Sequence, residues 1–297
     1  LSIINNVGYP NPSRSHFRST DIWQTASESN EYLDTGWLGR YIDIYGKMPH
    51  AGIELDDSLS LIMKGDNING IATKNPRNLF LNTRTPYFKK ILKHQSDTHL
   101  SEHNLGYLYK TMIEAKSSAT YIYETSKTYN SNLEYPKNPF GRQLKTTAEF
   151  INSNLDSSVY YVSMGGFDTH ANQKMRQKRL LSTYSESMEV FINDLKQHNT
   201  FKDTIVVTFS EFGRRLQQNA GGGTDHGAAN NIFIIGENLN KKGFYNSAPN
   251  LFNLDENGDL IHTIDFRSIY ATILDSWLEV DDAKILKKSF NKLNFIA

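Results

Sequence analysis

The run Tyr160-Tyr161-Val162-Ser163-Met164 breaks into Gly165-Gly166-Phe167-Asp168-Thr169-His170, and the stretch that begins there decides how the chain reads. Residues 175–198 follow with Leu180, Leu181, Tyr184, Met188, Phe191, Ile192 and Leu195 at helical spacing. A second apolar run, Thr204-Ile205-Val206-Val207-Thr208-Phe209, breaks into Ser210-Glu211-Phe212-Gly213-Arg214-Arg215. Beyond Gly221-Gly222-Gly223, the cluster Thr224-Asp225-His226-Gly227 leads to a third run, Ile232-Phe233-Ile234-Ile235-Gly236. Strand, helix, strand in that order predicts a right-handed parallel crossover and an α/β fold. Each polar cluster falls at a predicted strand end or in the loop after it, where open α/β sheets hold their ligands.

Working outward, residues 1–8 predict a strand, and Tyr9-Pro10-Asn11-Pro12-Ser13-Arg14 a turn, because both prolines restrict themselves and the residue before. Helices are expected over 15–27, 33–45, 105–129 and 141–154, with another opening at Thr263-Ile264-Asp265-Phe266-Arg267. Leu59 to Gly65 and Gly70-Ile71-Ala72 suggest short strands in an excursion around 49–100. No repeat or linker interrupts the chain, so residues 1–297 are expected to form a single domain. The opening residues look like the tail of a strand, so a first strand and any signal peptide are expected upstream.

The chain balances 32 Lys and Arg against 32 Asp and Glu over 297 residues, so no global field recruits nucleic acid. It has no cysteine, which excludes disulfides, thiolate ligands and a cysteine nucleophile. No apolar run approaches the roughly 18 residues of a membrane span.

Asp168 and His170, two residues apart in an irregular loop, can reach one ion, and zinc or manganese accepts that mixed oxygen and nitrogen set. The bland alternative is a helix-capping aspartate beside a surface histidine. Asp225 and His226 form a second such pair, in a glycine-rich loop whose backbone can approach a ligand closely, or else one that is merely flexible. Glu211 follows an apolar strand, and Arg214 and Arg215 could clamp an oxyanion or simply open a solvated helix. Ser13-Arg14-Ser15-His16-Phe17 sits where a helix start favours anions; a serine there is a metal-activated nucleophile or an ordinary N-cap. Several such clusters at consecutive strand ends favour a metal or oxyanion site over coincidence.

Five segments in order resemble the bacterial domain-of-unknown-function 1501 proteins, assigned to the alkaline phosphatase and sulfatase superfamily. They are Ser15-His16-Phe17 with Asp21 and Trp23-Gln24-Thr25, Gly165 to His170, Ser210 to Arg215, Gly223 to Gly227, and Thr263 to Arg267. The resemblance implies a three-layer sandwich with a mostly parallel central sheet, like alkaline phosphatase, lacking its first strand here. It implies Asp168, His170 and His226 on one metal and Ser15 in the nucleophile's place. Glu211 would stand for a second-metal aspartate, but Phe212 replaces the accompanying histidine, and Asp225 is an extra carboxylate. Thr263 to Leu274 resembles a structural helix.

The expected function is therefore a metal-dependent hydrolase of phosphate or sulfate esters, acting on a small-molecule or glycan substrate. Asp168, His170, Glu211, Asp225 and His226 would bind the divalent ion or ions, with zinc, manganese and calcium all open. Ser15, His16 and Arg214 would act on the ester, His16 as an outer-shell partner or general acid. The alternative is a catalytically degenerate domain that binds or assembles with proteins in the cell envelope. Family resemblance implies a periplasmic or secreted location.

Overall fold

The computed structural model describes residues 1–93 and 103–297, so the last part of the expected excursion, 94–100, lies outside the described residues. The chain is a mixed α/β protein that divides into two compact units. One comprises Leu1–Trp37, Gly165–Ser182 and Asn199–Ala297; the other comprises Leu38–Met164 and Thr183–His198. Its strands are β1 Ser2–Gly8, β2 Gly52–Glu54, β3 Ile71–Ala72, β4 Val159–Tyr161, β5 Val206–Thr208, β6 Arg214–Gln218, β7 Thr224–His226, β8 Asn230–Ile235, β9 Gly243–Phe244 and β10 Ile264–Asp265. Among the described residues no helix is long and apolar enough to cross a membrane.

In the first unit β1 is central. It pairs antiparallel with β8, which pairs antiparallel with β5, while β9 and β10 run parallel along its other edge. Ile4, Val7, Ile232 and Ile234 are buried in this sheet. Asn6 adopts a positive φ of 54°, and the register shifts between Ile4 and Val7, so an Asn-Asn bulge bends the strand. The buried backbone freed by that bulge is satisfied by Asn246, whose Oδ1 accepts from Asn5 N at 2.7 Å. The helix His16–Thr25 carries Trp23, which stacks on Phe266 at 4.2 Å and on Phe209 at 5.5 Å. As the sequence predicts, a helix opens after residue 265: Asp265 caps Phe266–Thr272 through Arg267 N, and buried Arg267 pairs with Asp265 and Glu28.

The second unit holds a wholly parallel sheet in the order β3-β2-β4. Ile53, Leu55 and Ile71 pack there with Ile122, Phe150 and Leu155. The helices Pro76–Asn82 and Pro139–Asn152 start on Asn-Pro pairs, with Asn75 and Asn138 capping backbone amides. In place of the strand expected at Leu59 to Gly65 there is a 3-10 turn, Leu61–Met63. Its neighbouring residues Ile62 and Met63 are both buried.

The predicted parallel crossover from residue 160 to residue 209 does not form. β4 pairs with β2, whereas β5 pairs with β8. The chain leaving β5 returns to β8 through the β6–β7 hairpin. That route brings β8 back beside β5 antiparallel, without the long crossover a parallel neighbour needs.

Glu54, at the end of β2, is 2 % exposed and accepts from the backbone amide of Ser60 at 2.7 Å and from its hydroxyl. Burial pushes its carboxyl above the ordinary 4.5, and the bonds from Ser60 only partly oppose this. A raised carboxyl stabilises the fold below the ordinary value, and that stability is lost as pH rises through the raised one. Glu54→Gln is therefore expected to raise Tm at pH 8, with the gain vanishing towards pH 4. Thermal melts across that range check it, and each kcal/mol should appear as roughly 2–4 °C.

Candidate metal centre

Asp168 and His170, both in the first unit, lie in the irregular segment before the helix Gln173–Gln197. The bridge Ala171↔Gly222 pins that segment against the loop between β6 and β7. The loop also supplies carbonyls to the new helix, since Gln173 N donates to Gly222 O at 3.3 Å. Gly223 is required by this approach: a Cβ there would lie 2.3 Å from the carbonyl carbon of His170. The glycines thus let backbone meet backbone, where the sequence suggests room for a ligand. Asn219 organises the same loop, accepting from the amides of Gly221 and Gly223 and donating to His170 O at 3.1 Å.

Asp225 and His226 are in strand β7 rather than in the glycine-rich loop, and Arg214 opens its partner β6 rather than a helix. In the hairpin Arg214 pairs directly with His226. Its guanidinium donates to Phe167 O at 2.8 Å, Thr224 O at 3.0 Å and Asp168 Oδ1 at 3.2 Å. Those bonds compete with the expected role as an oxyanion clamp.

The side chains converge on Asp168. Its Oδ1 lies 2.8 Å from His170 Nε2 and 2.9 Å from His226 Nε2, and these two nitrogens are 3.0 Å apart. Its Oδ2 lies 3.3 Å from His16 Nε2. Each ring is held from behind at Nδ1. Glu211 Oε1 is 2.7 Å from that of His16, Asp225 Oδ1 is 3.0 Å from that of His170, and Arg14 O is 2.7 Å from that of His226. An acceptor at Nδ1 keeps the ring proton there and turns the Nε2 lone pair inward. Phe212 forms an apolar wall, stacked on His226 at 4.3 Å and tilted against His16 at 4.8 Å.

Burial disfavours the ionised Asp168, but its interactions with His226, His170 and His16 outweigh this and hold the carboxyl well below the usual range. Asn219 and then His170 hold the Asp225 carboxyl low. Side-chain exposure runs from 17 % for His226 to 47 % for Asp168, so solvent species can reach the cluster.

Of the expected residues, Asp168, His170, His226 and His16 point donors at one another, while Glu211 and Asp225 face the outer nitrogens. Ser15 is exposed at the N-cap of the helix His16–Thr25, and its side chain makes no capping bond. Two supporting residues carry no sequence pattern of their own. Asp259 is fully buried and pairs with Arg14 and with Arg215, at 3.1 Å from the latter. Asn219 has only the turn signal of an Asn near glycines.

The donor set fits a divalent transition ion. Bonds of about 2.0–2.1 Å in a tetrahedral site separate donors by about 3.3–3.4 Å; His16 Nε2 and Asp168 Oδ2 stand at that spacing, 3.3 Å, while the donors around Asp168 Oδ1 are closer, at 2.8–3.0 Å. Inward lone pairs facing one another and a carboxylate also require a cation or shared protons.

The sequence profile of a family described as protein of unknown function (DUF1501) matches residues 4–289. No curated protein and no solved structure matches the chain.

Proposed function

The chain belongs to the DUF1501 family, and we propose that it is a metal-dependent hydrolase of phosphate or sulfate esters. The observation that carries this reading is the meeting of Asp168 Oδ1, His170 Nε2 and His226 Nε2 within 2.8–3.0 Å of one another. Two imidazoles and a carboxylate favour zinc or manganese over calcium, which prefers oxygen alone. A bound ion would supply Lewis-acid polarisation of an ester oxygen.

The residues of this chain bind and orient around that centre. Ser15 adjoins His16 in sequence with its hydroxyl free of capping duty, as a nucleophile requires. Arg214 braces Asp168 and the loop carbonyls, so its contribution to anion binding is indirect. Substrate would be a small-molecule or glycan ester. The three-layer, alkaline-phosphatase-like architecture and the periplasmic or secreted location follow from the family resemblance and belong to this proposal.

Phe212 favours one second reading. An apolar ring stands where the resemblance expects a histidine for a second metal, which suits a domain that keeps a metal but has lost turnover and serves as a binding or assembly protein. Metal analysis and hydrolysis of aryl phosphates and sulfates separate the two. Hydrolysis requires metal and turnover in the wild type, with both lost to background in His226→Ala. Metal without turnover selects the second reading, and unchanged metal content in His226→Ala overturns the site itself.

A further inference from the structure

We infer that His16 is a metal ligand in its own right, giving a site of three imidazoles and one carboxylate with Asp168, His170 and His226. Glu211 and Asp225 then hold two of those rings from behind and do not bind the ion. The inference rests on the proposed metal site but not on hydrolysis.

The first support is an orphaned atom. His16 Nε2 is sealed from solvent and forms no well-aligned hydrogen bond, its neighbour Asp168 Oδ2 standing 3.3 Å away, which is costly for a ring nitrogen. The second is direction. Glu211 Oε1 at 2.7 Å accepts from Nδ1–H, so the neutral ring presents an Nε2 lone pair towards Asp168 Oδ2 at 3.3 Å. A lone pair facing a carboxylate oxygen is repulsive with nothing between them, and that separation equals the edge of a tetrahedral zinc site. Donor atoms of His16, Asp168 and His226 all lie within 4.8 Å of one another.

The third support is how firmly the ring is set. Glu211 is itself fixed, since its Oε2 accepts from Ser210 Oγ at 3.0 Å and its carbonyl accepts from Ser19 Oγ at 2.5 Å. Phe212 packs against the rings of both His16 and His226. A ring oriented by a carboxylate at one nitrogen and turned inward at the other is the arrangement by which proteins prepare imidazole for a metal. Glu211 and Asp225 meet the outer nitrogens, on the side of each ring away from the convergence.

The test uses the full chain with cobalt(II) and zinc at pH 8, comparing wild type, His16→Gln, Glu211→Gln and His226→Ala. Zinc X-ray absorption should count one imidazole fewer in His16→Gln than in wild type. Its cobalt visible spectrum should change, and its affinity should fall by more than the roughly 10–100-fold typical of losing an outer-shell partner. Glu211→Gln should keep the wild-type spectrum and lose about 10–100-fold in affinity. If wild type binds neither ion, the metal reading itself has failed. If wild type binds and His226→Ala does not, while His16→Gln keeps wild-type affinity and spectrum, the assignment of His16 alone is overturned. Should His16→Gln not fold, Glu211→Gln decides: unchanged affinity rejects the assignment, and the graded loss supports it.

Discussion

Asp168→Asn is expected to reduce zinc affinity by more than about 100-fold and to bring ester hydrolysis to background, while leaving the metal-free protein folded. Among the described residues, Asp168 is the one carboxylate whose oxygens face all three inward nitrogens and Arg214. An amide keeps the shape but removes the charge that offsets a dication, and an outer-shell loss alone costs about 10–100-fold. Stability should respond far less. The Asp168 side chain is 47 % exposed, and ion pairs at such positions contribute about 0–1 kcal/mol. Arg214 also keeps its bonds to Phe167 O and Thr224 O.

The pH dependence of the metal-free protein has a definite sign. A carboxyl held below its ordinary 3.8 contributes stability above that value and loses it as pH falls through the lowered one. Wild type and Asp168→Asn should therefore converge in Tm as acid is added. Zinc titration, hydrolysis assays and melts check the three parts. A collapse of the metal-free fold with no loss of metal affinity in the folded fraction would make Asp168 a structural residue.

The ingredients of this site were legible in the sequence, and their arrangement was not. Asp168, His170 and His226 sit in glycine-flanked clusters that interrupt apolar runs, and such interruptions stand out at any register. Spacing cannot say which ring nitrogen a carboxylate will face, so it could not place Glu211 at Nδ1 of His16 or Asp225 at Nδ1 of His170, where they lie. Periodicity also finds strands without finding their partners. The residues around Tyr160 form a strand as expected, yet pair with β2, contributed by the excursion, and not beside Val206. Hairpin β6–β7 was hidden because Arg214–Gln218 and Thr224–His226 are polar on both faces except at Leu216. Asp259 anchors Arg14, whose carbonyl sets the ring of His226, and a lone loop aspartate announces no such role.

Asp194→Ala should be the most destabilising change in the second unit, costing about 3–5 kcal/mol, the range for stranding the partners of a buried charge. Asp194 is fully buried. Its carboxylate accepts from Tyr129 OH and Tyr135 OH at 2.8 Å, Ser131 Oγ at 2.5 Å and Asn152 Nδ2 at 3.3 Å. Burial, and then the hydrogen bond to Asp194, push the Tyr135 phenol far up, so it remains a donor at any physiological pH. Truncation strands these donors without the carboxylate that accepts from them. Urea unfolding should report the loss, with a Tm drop of roughly 2–4 °C per kcal/mol, and a Tm unchanged from wild type would refute the account. Asp194→Asn should cost less, because its amide oxygen still accepts. The same accounting separates this carboxylate from Asp168. A carboxylate has about four lone-pair sites, and around Asp194 four donors fill them, leaving nothing for an ion to satisfy. Around Asp168 the neighbours are chiefly imidazole nitrogens with their protons committed elsewhere. A saturated carboxylate is a structural pin, and one surrounded by inward lone pairs calls for a cation.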